Sequence, residues 1–280
     1  MRTLLKARLT LKLVLLAVSL TTLTAHPAAA QSMGLVPAEV DQNFEPGKPF
    51  QMYLSVSNGE NTPIQAKVGV TDFWYDAKFQ KTFGNPGSSP HSAANWIEAV
   101  PRQIEIPAHG TGKIEIIVTP PAEAAGGYYA AVFVESKPQL VEAASAQNNN
   151  KAVFANLRLG SLILLNAKGA GVFRADFSHF NLEPGGAQHD LQVTLDASNT
   201  GNTHIFPQPR LAILDQQHKM IARAQGESRR LLPGESQPLK VTWSGTLDPG
   251  DYIALLTVSY GPDKVFTKEM PFTVPGNSVK

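Results

Sequence analysis

Short runs of alternating apolar and polar residues follow one another along most of the chain. Residues 50–56 alternate and end at the turn residues 57–59, and residues 191–195 alternate ahead of the turn at 199–202. Period-two runs that are closed by Gly, Pro, Asn or Asp every 8–12 residues or so are typical of an antiparallel sandwich. Beyond residue 30, no long stretch keeps the 3.6-residue apolar period of a helix. The pattern therefore predicts an all-β protein.

Four landmarks recur in the same order in the two halves of the chain, and such a repeat indicates a duplicated domain. They are Glu-Pro-Gly at 45–47 and 183–185, Ser-Asn at 57–58 and 198–199, a Pro-containing turn at 106–110 and 232–235, and a Gly-Tyr segment at 126–130 and 250–254. Pro and Gly pre-set the backbone angles of tight turns, so each landmark marks the end or the start of a strand.

The Gly-Tyr landmark resembles the tyrosine corner of immunoglobulin-like domains, where the Tyr hydroxyl bonds back to the upstream backbone. The second half supplies Tyr252, and the first half supplies Tyr128 or Tyr129. Ala254 stands where antibody domains have a Cys, and the chain contains no Cys. The predicted fold is two tandem immunoglobulin-like β-sandwiches.

The first thirty residues have the layout of a secretory signal peptide. Four basic residues between positions 2 and 12 precede an apolar run over 13–23, and Ala28 and Ala30 occupy the −3 and −1 positions of a cleavage site. The apolar run is shorter than the roughly 20 residues of a membrane span. We expect cleavage after Ala30, a periplasmic or secreted product, and no stable membrane insertion of the mature chain.

Composition shifts divide the remaining chain. We predict a first domain over 31–168 and a second over 172–275, with the join near the Gly-rich residues 168–171. Residues 137–151 lack strand character and contain an Ala, Gln and Asn run, which predicts a mobile loop.

The first thirty residues hold four of the 24 Lys and Arg and none of the 23 Asp and Glu. The mature chain thus has no basic excess with which to bind nucleic acid.

The sequence offers little for catalysis. It has no nucleophile elbow, no paired metal-ligand His and no phosphate-binding Gly loop, so we predict no enzyme, no cofactor and no metal site. Asp72 and Asp76 could form an acid pair, and a hydrolase is a third hypothesis on that basis. Strand alternation offers another explanation, since it places Phe73 and Tyr75 on one face and Asp72, Trp74 and Asp76 on the other.

The segment after the predicted loop is the candidate partner-binding strand. Its odd-numbered residues from 153 to 165 form an almost continuous apolar face, and Asn156, Arg158 and Gly160 lie on the other face. An edge strand of this kind can pair with a partner through main-chain hydrogen bonds. The same apolar face could instead close the core of its own domain, and both hold if only the N-terminal half of the strand is free. The candidate residues are Val153, Ala155, Leu157, Arg158 and Leu159.

The order of motifs along the mature chain resembles that of WxL-interacting-type bacterial surface proteins. The motifs are Glu-Pro-Gly at 45–47, Asp72-Phe73, Trp96-Ile97, Pro120-Pro121, residues 126–130, residues 199–202, residues 232–235, Trp243 and residues 247–252. That resemblance implies a cell-envelope structural or adhesion module that binds wall polymer or surface proteins.

The layout is also similar, more distantly, to the periplasmic chaperones of chaperone–usher pili. There, two immunoglobulin-like domains follow a signal peptide, and a long loop precedes the strand that completes a pilin subunit. The family anchors the subunit carboxylate with an Arg near the first strand and a Lys in the donor strand; here residues 35–40 hold no base, and Arg158 is the only base of the donor strand. We predict a chaperone-like protein that assists assembly of surface or pilus-like structures, with another envelope protein, such as a pilin-like subunit, as its partner.

Overall fold

A computed structural model describes residues 32–76, 78–141, 153–185 and 190–275. Most of these residues lie in strands, and one short 3-10 turn is found at Ala94–Trp96. In the described ranges, no helix is long and apolar enough to cross a membrane. The predicted signal peptide lies outside the described residues. The all-β prediction and the two-sandwich architecture are confirmed.

The first sandwich is built from strands between residues 33 and 167. They are β1 (Met33–Val36), β2 (Glu39–Phe44), β3 (Phe50–Asn58), β4 (Ile64–Tyr75), β5 (Lys81–Gly84), β6 (Ile97–Val100), β7 (Gln103–Ile106), β8 (Thr111–Val118), β9 (Gly127–Ser136), β10 (Gln139–Val141), β11 (Val153–Ala155) and β12 (Arg158–Ala167). One sheet has the order β1-β3-β8-β6, and the other has the order β2-β12-β9-β4-β5, with β7 also paired to β4. Strands β10 and β11 form a separate two-stranded ribbon.

Alternate side chains from the two sheets fill the space between them. Leu54 and Ile116 come from the first sheet and Val132 and Ile163 from the second, and all four are almost fully buried. Burying a side chain of this size stabilises the fold by about 1.5–3 kcal/mol. The period-two pattern in the sequence therefore arises from packing of one sheet on the other.

The second sandwich is smaller and repeats the arrangement. Its strands are β13 (Ala175–Glu183), β14 (Leu191–Asn199), β15 (Gln208–Leu214), β16 (Met220–Gln225), β17 (Ser236–Trp243), β18 (Gly250–Gly261) and β19 (Lys264–Val274). Its sheets have the orders β13-β14-β17 and β16-β15-β18-β19. Leu195, Leu239 and Leu256 meet in a second apolar core.

The Tyr landmark forms a corner in both sandwiches. The hydroxyl of Tyr252 donates a hydrogen bond of 2.9 Å to the carbonyl of Asp248. In the first sandwich, the hydroxyl of Tyr128 accepts the N–H of Ala125 at 3.3 Å. Tyr129 points to the opposite face of β9 and is fully buried there. Tyr128 is therefore the equivalent of Tyr252.

The segment predicted as a mobile loop, 137–151, begins with structure. Residues Gln139–Val141 form β10, which pairs with β11 in antiparallel register. Residues 142–152 lie outside the described part of the chain. The predicted domain bounds, 31–168 and 172–275, remain a proposal, although the strands of the two sandwiches end at Ala167 and begin at Ala175.

Candidate functional site

Strand β12 has two halves with different neighbours. From Leu162 to Ala167 it lies between β9 and β2, and β2 runs parallel to it. From Arg158 to Gly160 it pairs with β9 on one side, and no strand in the described ranges pairs with its other side. The first half of β12 is therefore an open sheet edge.

The path of the chain near Pro37 explains why the edge is open. Strand β1 pairs with β3 in the opposite sheet, whereas β2, which begins two residues after Pro37, pairs with β12. The chain thus crosses from one sheet to the other at Pro37, and β2 covers β12 only from Leu162 onward. Pro also has no N–H to donate to a ladder.

The hydrogen bonds around β12 show which backbone groups face the open side. The carbonyl of Leu157 accepts the N–H of Ser136 in β9, whereas the N–H of Leu162 donates to Ala38 on the opposite side. Successive residues of a strand direct their backbone groups to alternate sides. The N–H and C=O groups of Arg158 and Gly160 therefore point to the open side.

The structure places four of the five predicted residues in two different strands, and Leu157 lies between them. Val153 and Ala155 belong to β11 and pair with β10, and the strand is interrupted before β12 begins. Leu157 and Leu159 are half-buried and pack against the core of the first sandwich. The continuous strand inferred from the alternation is therefore two strands, and its apolar face contributes to its own core.

Arg158 covers an aromatic patch on the opposite face of the sheet. Its guanidinium lies 3.8 Å from the centre of the Phe133 ring, and its Nε lies 3.9 Å from a carboxylate oxygen of Glu135. Phe133 also meets Phe83 edge-on, with 4.8 Å between ring centres. Gly160 lies beside Phe133, and a Cβ at Gly160 would stand 2.7 Å from the ring. Gly160 thus leaves room for this patch at the open edge.

The contact between the two sandwiches was not foreseen from the sequence. Leu232, from the turn before β17, packs among Phe73, Tyr129 and Leu164 of the first sandwich. Arg230 donates to the carboxylate of Glu39 in β2 through its two terminal nitrogens, Nη1 and Nη2, and the Nη1 bond is 2.8 Å long. The Leu-Pro-Gly-Glu landmark at 232–235 marked a turn, but nothing in it indicated that the turn would dock on the other domain.

His204 forms a second polar contact across the same boundary. Its Nε2 lies 3.2 Å from a carboxylate oxygen of Asp41 in β2. A hydrogen bond from His204 lowers the pKa of Asp41. Beside it, the hydroxyl of Thr203 donates to the side-chain oxygen of Asn166 at 3.0 Å. These contacts are polar and specific, as expected of an interface between domains.

The two carboxylates considered for catalysis hold loops. Asp72 is fully buried and accepts the N–H of Ser89 at 2.8 Å. Asp76 accepts the N–H groups of Lys78 and Gln80 at 2.8 and 2.9 Å. Among the residues that the structure describes, no three His, Asp or Glu side chains come together as a metal site would require.

No family model and no curated protein matches the sequence. Solved structures that are similar in architecture include the class 5 fimbrial chaperone CfaA, with 10% identity, a TM-score of 0.45, and coverage of 88% of this chain and 100% of that chain. The SafB chaperone of Salmonella enterica, solved with SafA pilin, is 14% identical with a TM-score of 0.42 over 86% and 97% of the chains. The complex of the CsuC chaperone with the CsuE tip subunit of Acinetobacter baumannii is 11% identical, with a TM-score of 0.42. The match covers 85% of this chain and 97% of that chain.

Proposed function

We propose that this protein is a non-enzymatic, chaperone-like protein of the periplasm that binds a partner by β-strand pairing along the open edge of β12. The partner that we propose is a pilin-like or tip subunit, the kind of protein named with two of the similar chaperones. The protein would hold such a subunit during assembly of a surface fibre.

The observation that carries the proposal is the start of β12, whose outer side pairs with no strand in the described part of the chain. An open edge offers a row of N–H and C=O groups to which another chain can add a strand. Arg158 and Gly160 present four such groups on one side, next to the half-buried Leu157 and Leu159. Each main-chain hydrogen bond contributes about 0.5–1.5 kcal/mol net. Side chains of the added strand could continue the apolar face of β12.

The carboxylate anchor implied by the pilus-chaperone resemblance has no counterpart in β2. Glu39 and Asp41 of that strand are acidic, and they already contact Arg230 and His204 of the second sandwich. A partner carboxylate would be repelled by these two groups. The proposal therefore rests on main-chain pairing and apolar contact.

A pair of substitutions at Arg158 tests the proposal. Arg158→Pro removes an N–H that faces the open side, whereas the hydrogen bonds of β12 to β9 need no proton from that residue. Arg158→Ala removes the same side chain and keeps the N–H. The tagged mature protein would be co-expressed with candidate pilin-like subunits from the same genome, and recovery of the complex would be quantified.

We expect Arg158→Pro to reduce recovery of the complex at least tenfold and Arg158→Ala to change it less than threefold. Circular dichroism spectra of both variants would verify the fold. Equal recovery with Pro and Ala would refute pairing through this edge. Hydrogen exchange of the Arg158 and Gly160 amides should also slow in the complex, because those two amides become paired.

A further inference from the structure

A cleft of about 800 Å³ opens between the two sandwiches, apart from the edge of β12. On the first sandwich it is lined by the end of β4, at Trp74 and Tyr75, and by residues 88–91. Strand β9 lies between β4 and β12 in the sheet order. The second sandwich contributes residues 198–201 and 232–236. The volume of the cleft is within the 300–1,000 Å³ that is usual for small-molecule sites.

Each wall of the cleft is held by a buried or half-buried polar side chain. Asp72 fixes the 88–92 loop through the N–H of Ser89 and the hydroxyl of Ser92. The side chain of Asn199 fixes the turn at 199–203. The carboxylate of Glu235 accepts the N–H of Tyr75 and that of Leu232, both at 2.8 Å, and so joins the two sandwiches. The cleft is thus preformed, and a ligand would order few groups on binding.

The cleft exposes a flat aromatic surface at its first wall. Gly84 in β5 lies against the Trp74 ring, and a Cβ there would stand 2.7 Å from the ring and 2.5 Å from the Ser88 hydroxyl. The missing side chain lets the indole and the Ser88 loop approach each other. Trp74 remains half-exposed and lines the cleft beside Ser88.

Hydroxyl groups form the facing wall. Ser198 and Ser236 lie with their oxygens 2.7 Å apart, and Thr200 is exposed beside them. Hydroxyls can both donate and accept hydrogen bonds, so they suit a ligand that carries hydroxyls itself. A site built to bind hydroxyls rejects ligands that lack them.

The lining offers little positive charge to an anionic ligand. Among the described residues that line the cleft, none is Lys or Arg, and the Nδ1 of His91 lies 3.0 Å from the carbonyl oxygen of Gly127. The acidic side chain of the lining is Glu235, and burial raises the pKa of its carboxyl. Its two oxygens already accept two backbone N–H groups, so it offers little to a cation. A neutral ligand fits these conditions best.

We infer that this cleft binds a neutral oligosaccharide, with Trp74 as the surface on which a sugar ring stacks and the Ser198, Thr200 and Ser236 hydroxyls as its hydrogen-bonding wall. This inference goes beyond the proposed function, since the cleft and the edge of β12 are separate. It would let the protein contact envelope glycan and a protein partner at the same time.

Calorimetric titration of the mature protein with three probes, chitotetraose, cellotetraose and maltotetraose, tests the inference. We expect saturable one-to-one binding of at least one probe. Trp74→Ala should weaken that binding at least tenfold, and Thr200→Val should weaken it about threefold. Tyr53→Ala, which removes an exposed aromatic ring outside the cleft, should leave it unchanged.

No saturable heat with any of the three probes at millimolar concentration would overturn the inference, as would unchanged binding by Trp74→Ala. Near-ultraviolet circular dichroism would establish that Trp74→Ala keeps its tertiary packing. The two sites are distinguished by testing each variant in both assays. Trp74→Ala should still bind the protein partner, and Arg158→Pro should still bind the sugar. Failure of one proposal then leaves the other standing.

Discussion

Two buried asparagines show how single residues shape this fold. The side-chain amide of Asn58 donates to the carbonyl groups of Thr62 and Ile106, and its oxygen accepts the N–H of Glu60. Asn199 makes the same three kinds of contact in the second sandwich. Each Asn ties the end of one strand to the turn that precedes another. The repeated Ser-Asn landmark in the sequence marks this shared bonding pattern.

Asn199→Ala should lower the free energy of unfolding by about 2–4 kcal/mol, because three hydrogen bonds of a buried side chain are lost and the carbonyl of Thr203 loses its donor. Urea unfolding followed by fluorescence measures the change. Asn181→Ala, at an exposed position of the same sandwich, is the matched control and should change stability by less than about 0.5 kcal/mol. Equal effects of the two substitutions would show that the Asn199 contacts contribute little.

At the scale of elements, β12 combines a core strand with an open edge. Ile163 and Leu165, in its second half, are fully buried. Leu157, just ahead of the strand, and Leu159, at its start, are half-buried, because β2 ends its pairing at Leu162 and leaves that end uncovered. Stability therefore comes mainly from the second half, and the first half is left available for a partner.

This division predicts that substitutions at the two ends of the strand lower the free energy of unfolding by different amounts. Ile163→Ala should destabilise the protein by about 3 kcal/mol, since it leaves a cavity in a packed core. Leu157→Ala should cost about 1 kcal/mol, because its side chain is already half exposed. Urea unfolding of both variants makes the comparison. A cost for Leu157→Ala as large as that for Ile163→Ala would mean that the start of β12 is core, contrary to the proposed binding role.

At the scale of the molecule, Asn202 holds the two sandwiches together. Its carbonyl accepts the N–H of Gly127, and its side chain bonds to Val172 and Ala170 of the connecting segment. Gly126 has a φ of 87°, and a Cβ there would stand 2.2 Å from the carbonyl oxygen of Asn202. Glycine is therefore needed at Gly126 for the contact to form. Leu232 adds apolar burial at the same boundary.

We expect the two sandwiches to unfold in one calorimetric transition, because their contact couples them. The double variant Arg230→Ala, Leu232→Ala, which removes two side-chain contacts across the boundary, should separate this into two transitions, with the first at lower temperature. A double variant of exposed residues, Asn181→Ala with Val265→Ala, is the control and should keep one transition. A single, unshifted transition in the Arg230 and Leu232 variant would contradict this coupling.

The sequence by itself determined the class of fold, the duplication and the turns. These depend on local rules: alternation follows from two-sided strands, and Gly, Pro and Asn set the turns wherever the strands are placed. Local patterning also identified the Tyr corners, although Tyr128 and Tyr129 could be separated only by the face to which each points. The Tyr129 side chain packs between domains, and no spacing rule indicates that.

Only the tertiary structure decided where the candidate sites lie. The open edge of β12 depends on the crossing of the chain at Pro37, more than 120 residues earlier in the sequence. The cleft depends on how Leu232 and Glu235 dock on the first sandwich. Alternation gives the face of a side chain, but whether a strand edge is covered is set by contacts between residues distant in sequence. That is why the alternation could predict strand structure after residue 153 but left open whether the start of the strand was free and did not reveal the break before Arg158.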